Sequence, residues 1–113
     1  MTTNLFENPS KSVYYHTLVQ WNVVDEITFL TDVEEHVHVR EYILKSLDVV
    51  VMETVLHKLP REKHEEFMHK VSHSYHDESV LEWLENEVED IKTHIQAAIQ
   101  STKAEIKTLL SQL

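Results

Sequence analysis

From Val80 to Leu113 the chain reads VLEWLENEVEDIKTHIQAAIQSTKAEIKTLLSQL, and this stretch decides the fold class. Leu81, Leu84, Val88, Ile91, Ile95, Ala98 and Thr102 recur three and four residues apart, and Ile106, Leu109 and Leu113 continue the face with a small shift. At 100° per residue this spacing gathers the apolar side chains on one stripe of an α-helix. No Pro or Gly interrupts it. The spacing predicts a helix over about 78–113, roughly 54 Å long at 1.5 Å per residue. Asp77 is placed to cap its start. Glu85 and Glu89 on the outer face lie toward that start, and Lys92, Lys103 and Lys107 follow toward the end, in keeping with the helix dipole.

Upstream, Pro60 suits the first turn of a shorter helix over 60–75 that turns Phe67, Met68, Val71 and Tyr75 inward. From Glu26 to Leu59 there is again neither Pro nor Gly. Phe29, Leu30, Val33, Val37, Leu44, Leu47, Val51, Val55 and Leu59 fall on a stripe about 120° wide, with Arg40 its one charged interruption. This segment is expected as one helix, or as two broken near 46–48 with Asp48 as a cap. Val49, Val50, Met52 and Leu56 add a second apolar face, so burial on most sides is expected; a strand through the valines is the rival reading. Ser10 or Ser12 can cap a short helix carrying Val13, Tyr14, Thr17, Leu18 and Trp21, with a joint at 22–25. Residues 1–9 read as a loose arm. The expectation is therefore all-α: one domain over 10–113, a small bundle of two long antiparallel segments (26–59 and 78–113) and the shorter helix 60–75.

Composition agrees. The chain has 113 residues, no Gly and no Cys, where average usage of about 7% predicts roughly eight Gly. Left-handed turns are then left to Asn4, Asn8, Asn22, Asn86 and the Asp residues. Gly-dependent hairpins, phosphate-cradling loops and nucleophile elbows are excluded. So are disulfides, thiolate nucleophiles and Cys-type zinc sites. A net charge of −10 argues against nucleic acid and anionic membranes as partners. The first ten residues lack a basic stretch followed by an apolar one, so a secretory leader is not expected, and a cytoplasmic location is.

The segments LHKLPREKHEEF (Leu56–Phe67) and VLEWLENEVEDI (Val80–Ile91), with the apolar run before the first, carry a resemblance. Over about residues 24–113 the chain resembles a small uncharacterised all-helical family of candidate-phyla-radiation bacteria. The resemblance implies a helical domain and no assigned activity.

Nine histidines invite a metal reading. His64 and His69 are five apart, about 140° around a helix, so they cannot share an ion as a zinc-protease pair does. Glu66, His69 and His73 do fall on one strip, and two imidazoles four apart with a carboxylate can bind zinc or another divalent ion. Trp21 and Trp83 are expected as core anchors; Arg40 can pair with Glu41 or with an acid on a neighbouring helix, or, the commoner outcome, snorkel to the edge. A rod of 54 Å overhangs so small a body, so Leu81, Leu84, Val88, Ile91, Ile95, Ala98, Ile106, Leu109 and Leu113 are the expected interface. The functional expectation is a non-enzymatic interaction module, docking on a protein partner or a second copy through this ladder and the apolar 43–59 segment. No cofactor is expected on that reading; divalent-metal binding at Glu66, His69 and His73 is the alternative.

Overall fold

Five α-helices and three short 3-10 turns make up the described part of the chain, residues 13–112 of a computed structural model. The helices are α1 (Trp21–Thr28), α2 (His36–Lys58), α3 (His64–Ser74), α4 (Ser79–Glu87) and α5 (Ile91–Ser111). No strand occurs among the described residues, so the valines at 49–51 lie within helix. The expected arm over 1–9, the Ser10 and Ser12 caps and Leu113 lie outside the described residues. No helix here is long and apolar enough to cross a membrane.

The two longest helices, α2 and α5, make the most extensive contact. They run antiparallel: residues 42–50 of α2 flank 102–109 of α5, and residues 53–58 flank His94. Ile43, Leu47, Val51 and Val55 enter the core from α2, and Ile91, Ile95, Ile99 and Ile106 from α5. α3 and α4 fold into a hairpin, with Lys63 near Glu87 and the Lys70 ammonium over the Trp83 ring. Phe67 from α3 and Val80, Leu81 and Leu84 from α4 complete the core. Burying each such aliphatic or aromatic side chain contributes about 1.5–3 kcal/mol.

Several boundaries differ from the sequence expectation. The 78–113 rod is two helices, broken over 88–90. Val88 is extended (φ −133°, ψ 120°) and Asp90 sits in the left-handed region at φ 58°. The stretch Glu85-Asn86-Glu87-Val88-Glu89-Asp90 carries four carboxylates. Glu89 and Asp90 stand just ahead of the α5 N-terminus, where the helix dipole favours carboxylates, whereas Glu85 and Glu87 lie in the last turn of α4, Glu87 facing Lys63. Asp is also among the few side chains that tolerate the left-handed region without glycine. Lys92 reaches back across the joint to Glu85 at 2.7 Å.

The 26–59 segment breaks elsewhere than expected. Residues 26–28 close α1, the chain turns over 29–35, and α2 then runs unbroken through 46–48. Within the turn the Thr28 and Thr31 hydroxyls donate to the Val24 and Thr28 carbonyls, holding the chain back on itself. Phe29, Leu30, Val33 and Val37 belong to this turn or the first turn of α2, so they lie exposed and not on a buried stripe. Residues 22–25 are helix and not a joint, and residues 16–18 form only a 3-10 turn. Leu59 is extended ahead of Pro60, as the proline ring requires, and a 3-10 turn at 61–63 delays α3 to His64.

Asp90 makes no side-chain cap bond to α5, so its cost is that of the left-handed backbone. We expect Asp90→Gly to raise the free energy of unfolding by about 0.5 kcal/mol and Asp90→Val to lower it by about 1–2 kcal/mol. Urea denaturation followed by circular dichroism reads both. A Val variant as stable as the parent contradicts the placement of the joint.

Candidate functional site

Of the nine ladder positions named above, most are used inside the chain. Leu81, Leu84, Ile91, Ile95 and Ile106 are buried, Val88 and Ala98 are half-buried, and Leu113 is outside the described residues. Leu109 alone among the described positions is open, at 55% exposure. Once the rod breaks, α4 turns back onto α3 and the stripe is covered by this chain's own helices. Lys103, expected on the outer face, is instead buried, its Nζ directed at the Gln20 carbonyl at 3.4 Å, and burial pushes its ammonium pKa down.

Besides Phe29, Leu30 and Val33 at the 29–35 turn, open apolar surface lies on α2. Val49 is 55% exposed and Tyr42 53%, with Met52 and Leu56 half-buried beside them. Counted at 100° per residue from Val49, Tyr42, Lys45, Glu53 and Leu56 all lie within about 40° of it. Val49 therefore tops a ridge. On one side is a groove of about 390 Å³, floored by Val50, Thr102 and Ile106 and closed by Leu109. On the other is a groove of about 280 Å³ between α2 and α3, lined by Met52, Val71 and Tyr75. The buried face of α2, Ile43 to Val55, lies on the opposite side of the helix. This second apolar face on 43–59 was legible in the sequence; which part of it remained open was not.

Beneath the ridge lies a polar centre that sequence reasoning missed. Tyr15 and Tyr75 both donate their hydroxyls to Asp48 Oδ1, at 2.7 and 2.6 Å. Asp48 thus anchors tyrosines from two distant segments and does not cap a helix. Tyr14 meets Tyr15, Phe67 and Tyr75 edge-on, at ring separations of 5.1, 6.3 and 6.2 Å. Its backbone N–H donates to the Tyr75 carbonyl at 2.9 Å. Burial, reinforced by the Asp48 carboxylate, raises the pKa of Tyr14, Tyr15 and Tyr75. Beside this centre a cleft of about 430 Å³ is walled by Val13, Val19, Trp21, Leu44 and Leu47, with Lys45 also in its lining. It is large enough for an apolar side chain or a small ligand. The signal that could have found the centre is the pair of adjacent tyrosines at 14–15, but their shared acceptor is set by packing.

Arg40, the charge in the apolar stripe, pairs with an acid on a neighbouring helix as one of the sequence alternatives had it. It donates to Asp25 Oδ1 at 3.0 Å and lies over the Trp21 ring at 5.5 Å. Burial pulls its pKa down and Asp25 opposes that shift. Trp21 and Trp83 are both half-buried against the core, each beneath a cation.

The histidine strip is surface. Glu66, His69 and His73 are all exposed on α3. The His69 and His73 rings lie 4.2 Å apart, but His73 Nδ1 is engaged with the His69 carbonyl at 3.0 Å. Glu66 faces Lys63 at 3.8 Å. Among the described residues no three His, Asp or Glu side chains are grouped to hold a metal ion. The hydroxyls of Thr28, Thr31, Thr54, Thr108 and Ser111 donate to carbonyls of the preceding turn.

No protein-family model, curated protein or solved structure matches this chain.

The tyrosine cluster sets an alkaline limit. Folding holds these phenols protonated, whereas unfolded tyrosines ionise near pH 10. Their contribution is full below about pH 10 and is lost as pH rises beyond it. The urea midpoint should fall above about pH 10, and less steeply in a Tyr15→Phe, Tyr75→Phe double variant. Asp48→Ala, which orphans two hydroxyls, should cost about 2–4 kcal/mol at neutral pH, against about 1–2 for either Tyr→Phe. Equal costs for all three would mean that Asp48 is not their common acceptor.

Proposed function

We propose that the chain is a non-enzymatic helical interaction module that self-associates or docks on a partner protein through the outer face of α2 and the adjoining end of α5. One observation carries the reading. Val49, Tyr42 and Leu109 stay more than half exposed around one groove, whereas most of the apolar stripe of α4 and α5 is covered within the chain. Apolar surface left in water is unfavourable by about 25 cal/mol per Å², and an exposed helix face flanked by grooves is the form that helix-in-groove recognition takes. The net charge of −10 favours a protein partner over nucleic acid or an anionic membrane, and a cytoplasmic location goes with this reading.

Sedimentation velocity from about 10 to 500 µM tests self-association, a span chosen because micromolar affinity is typical of small interfaces. The weight-average mass should rise above the 13.4 kDa of one chain. Val49→Asp should hold the protein at that mass without altering its helical circular dichroism. For the docking form, a partner retained by the parent should be lost with the same variant. A parent that stays monomeric, with any partner indifferent to Val49→Asp, overturns the proposal.

A second reading, divalent-metal binding at Glu66, His69 and His73, is supported by the 4.2 Å approach of the two imidazole rings. Freed from its contact with the His69 carbonyl, His73 stands one helical turn from His69, the spacing at which two imidazoles reach one ion. On this reading equimolar zinc raises the melting temperature of untagged protein, and His73→Ala removes the effect. A melting temperature indifferent to zinc ends it.

A further inference from the structure

We propose that the occupant of the α2 ridge is a second copy of this chain, its α2 lying antiparallel across the first about a two-fold axis at Val49. The inference rests on the interaction-module reading and names its partner.

The stripe is symmetric about Val49. Residues on two helices related by a two-fold axis at position 49 meet when their numbers add to twice that value. Tyr42 then faces Leu56 of the second copy, Lys45 faces Glu53, Ser46 faces Met52, and Val49 meets its own equivalent. Tyr42, Val49 and Leu56 each gain an apolar neighbour, and Lys45 and Glu53 each gain the opposite charge. From Tyr42 to Leu56 the stripe runs about 21 Å, four turns of helix.

Charge separates this arrangement from its rivals. Lys45 and Glu53 are exposed on either side of Val49, and neither has an ion-pair partner among the described residues. An antiparallel pair turns these two unpaired charges per chain into two cross-helix pairs. A parallel pair in register would set Lys45 against Lys45 and Glu53 against Glu53, which is repulsive. An unrelated apolar helix would leave both charges without partners. The arrangement is also isologous, so it closes at two copies and leaves no open end for further growth. The grooves on the two sides of Val49 give the flanking side chains of the second copy somewhere to lie. A contact built on one pair of helices lies near the small end of specific interfaces, roughly 1,000 Å² in total, so the dimer should be reversible.

Charge reversal tests the geometry. Lys45→Glu and Glu53→Lys should each weaken dimerisation about tenfold or more, since each creates two like-charge contacts across the axis. The double variant Lys45→Glu, Glu53→Lys should recover the parent affinity, because it restores both pairs with their signs exchanged. Both sites are exposed, and circular dichroism of each single variant checks that the fold is kept. Three results overturn the proposal. If the parent is monomeric throughout, the two-copy arrangement falls, and the module reading is left to its docking form. If Val49→Asp abolishes dimerisation but the double variant fails to recover it, the module reading stands and the two-fold arrangement falls. If the parent forms species larger than a dimer, closure is wrong and the axis is not at Val49.

Discussion

The constraint on which the molecule turns is that α2 carries apolar side chains around most of its circumference, and the remaining helices cover only part of it. Ile43, Leu47, Val51 and Val55 are taken by the core, and Val39, Met52 and Leu56 are shared between core and surface. That uses the inward faces of α1, α3 and α5. Tyr42 and Val49 remain outside because a helix flanked by others on one side keeps an outer face, whatever residues lie on it. A chain evolving only for solubility would place charge there. The rest of the architecture, including the turn at 29–35 and the break at 88–90, serves to wrap short helices around this central one.

Buried polar groups fix how that wrapping is done. Asp48 faces the tyrosines of two segments distant in sequence, so it ties the N-terminal turn and the end of α3 to the middle of α2. Arg40 bonds Asp25 over the Trp21 ring and sets the angle of α1 against the start of α2. Lys103 reaches the Gln20 carbonyl, and Lys107 reaches Glu26, fixing α1 along the end of α5. Apolar contacts tolerate sliding; a hydroxyl or guanidinium that must find one acceptor does not. These few contacts therefore specify register, while the isoleucines and leucines supply most of the stabilisation. The ridge at Val49 stands over the tyrosine centre, and its shape is held by that register.

Much of this was readable from the chain. The three- and four-residue spacing of apolar side chains implied helix throughout, and the absence of glycine excluded the tight hairpins that a sheet would need. Pro60 marked the end of α2 to within a residue or two, and Asp77, expected as the cap, lies one residue ahead of the cap position, which Glu78 holds, and accepts the Ser79 N–H at 2.9 Å. What misled was continuity. An unbroken stripe from Leu81 to Leu113 is equally consistent with one rod or with two helices whose faces happen to align, because periodicity records which side of a helix is apolar and not whether the axis bends. The same ambiguity hid the turn at 29–35, where Phe29, Leu30 and Val33 continue an apolar pattern through residues that are not helix.

Sequence by itself determined the helical class, the apolar character of α2 on more than one side and the acidic surface, since each follows from local spacing and composition. Only the tertiary structure decided which of two apolar faces would be left open. It closed the C-terminal stripe by folding α4 back on α3, and it left Val49 and its neighbours exposed. The reason is geometric: burial depends on which distant segments arrive beside a helix, and their arrival is set by joints such as Asp90 and anchors such as Asp48 whose partners lie far along the chain.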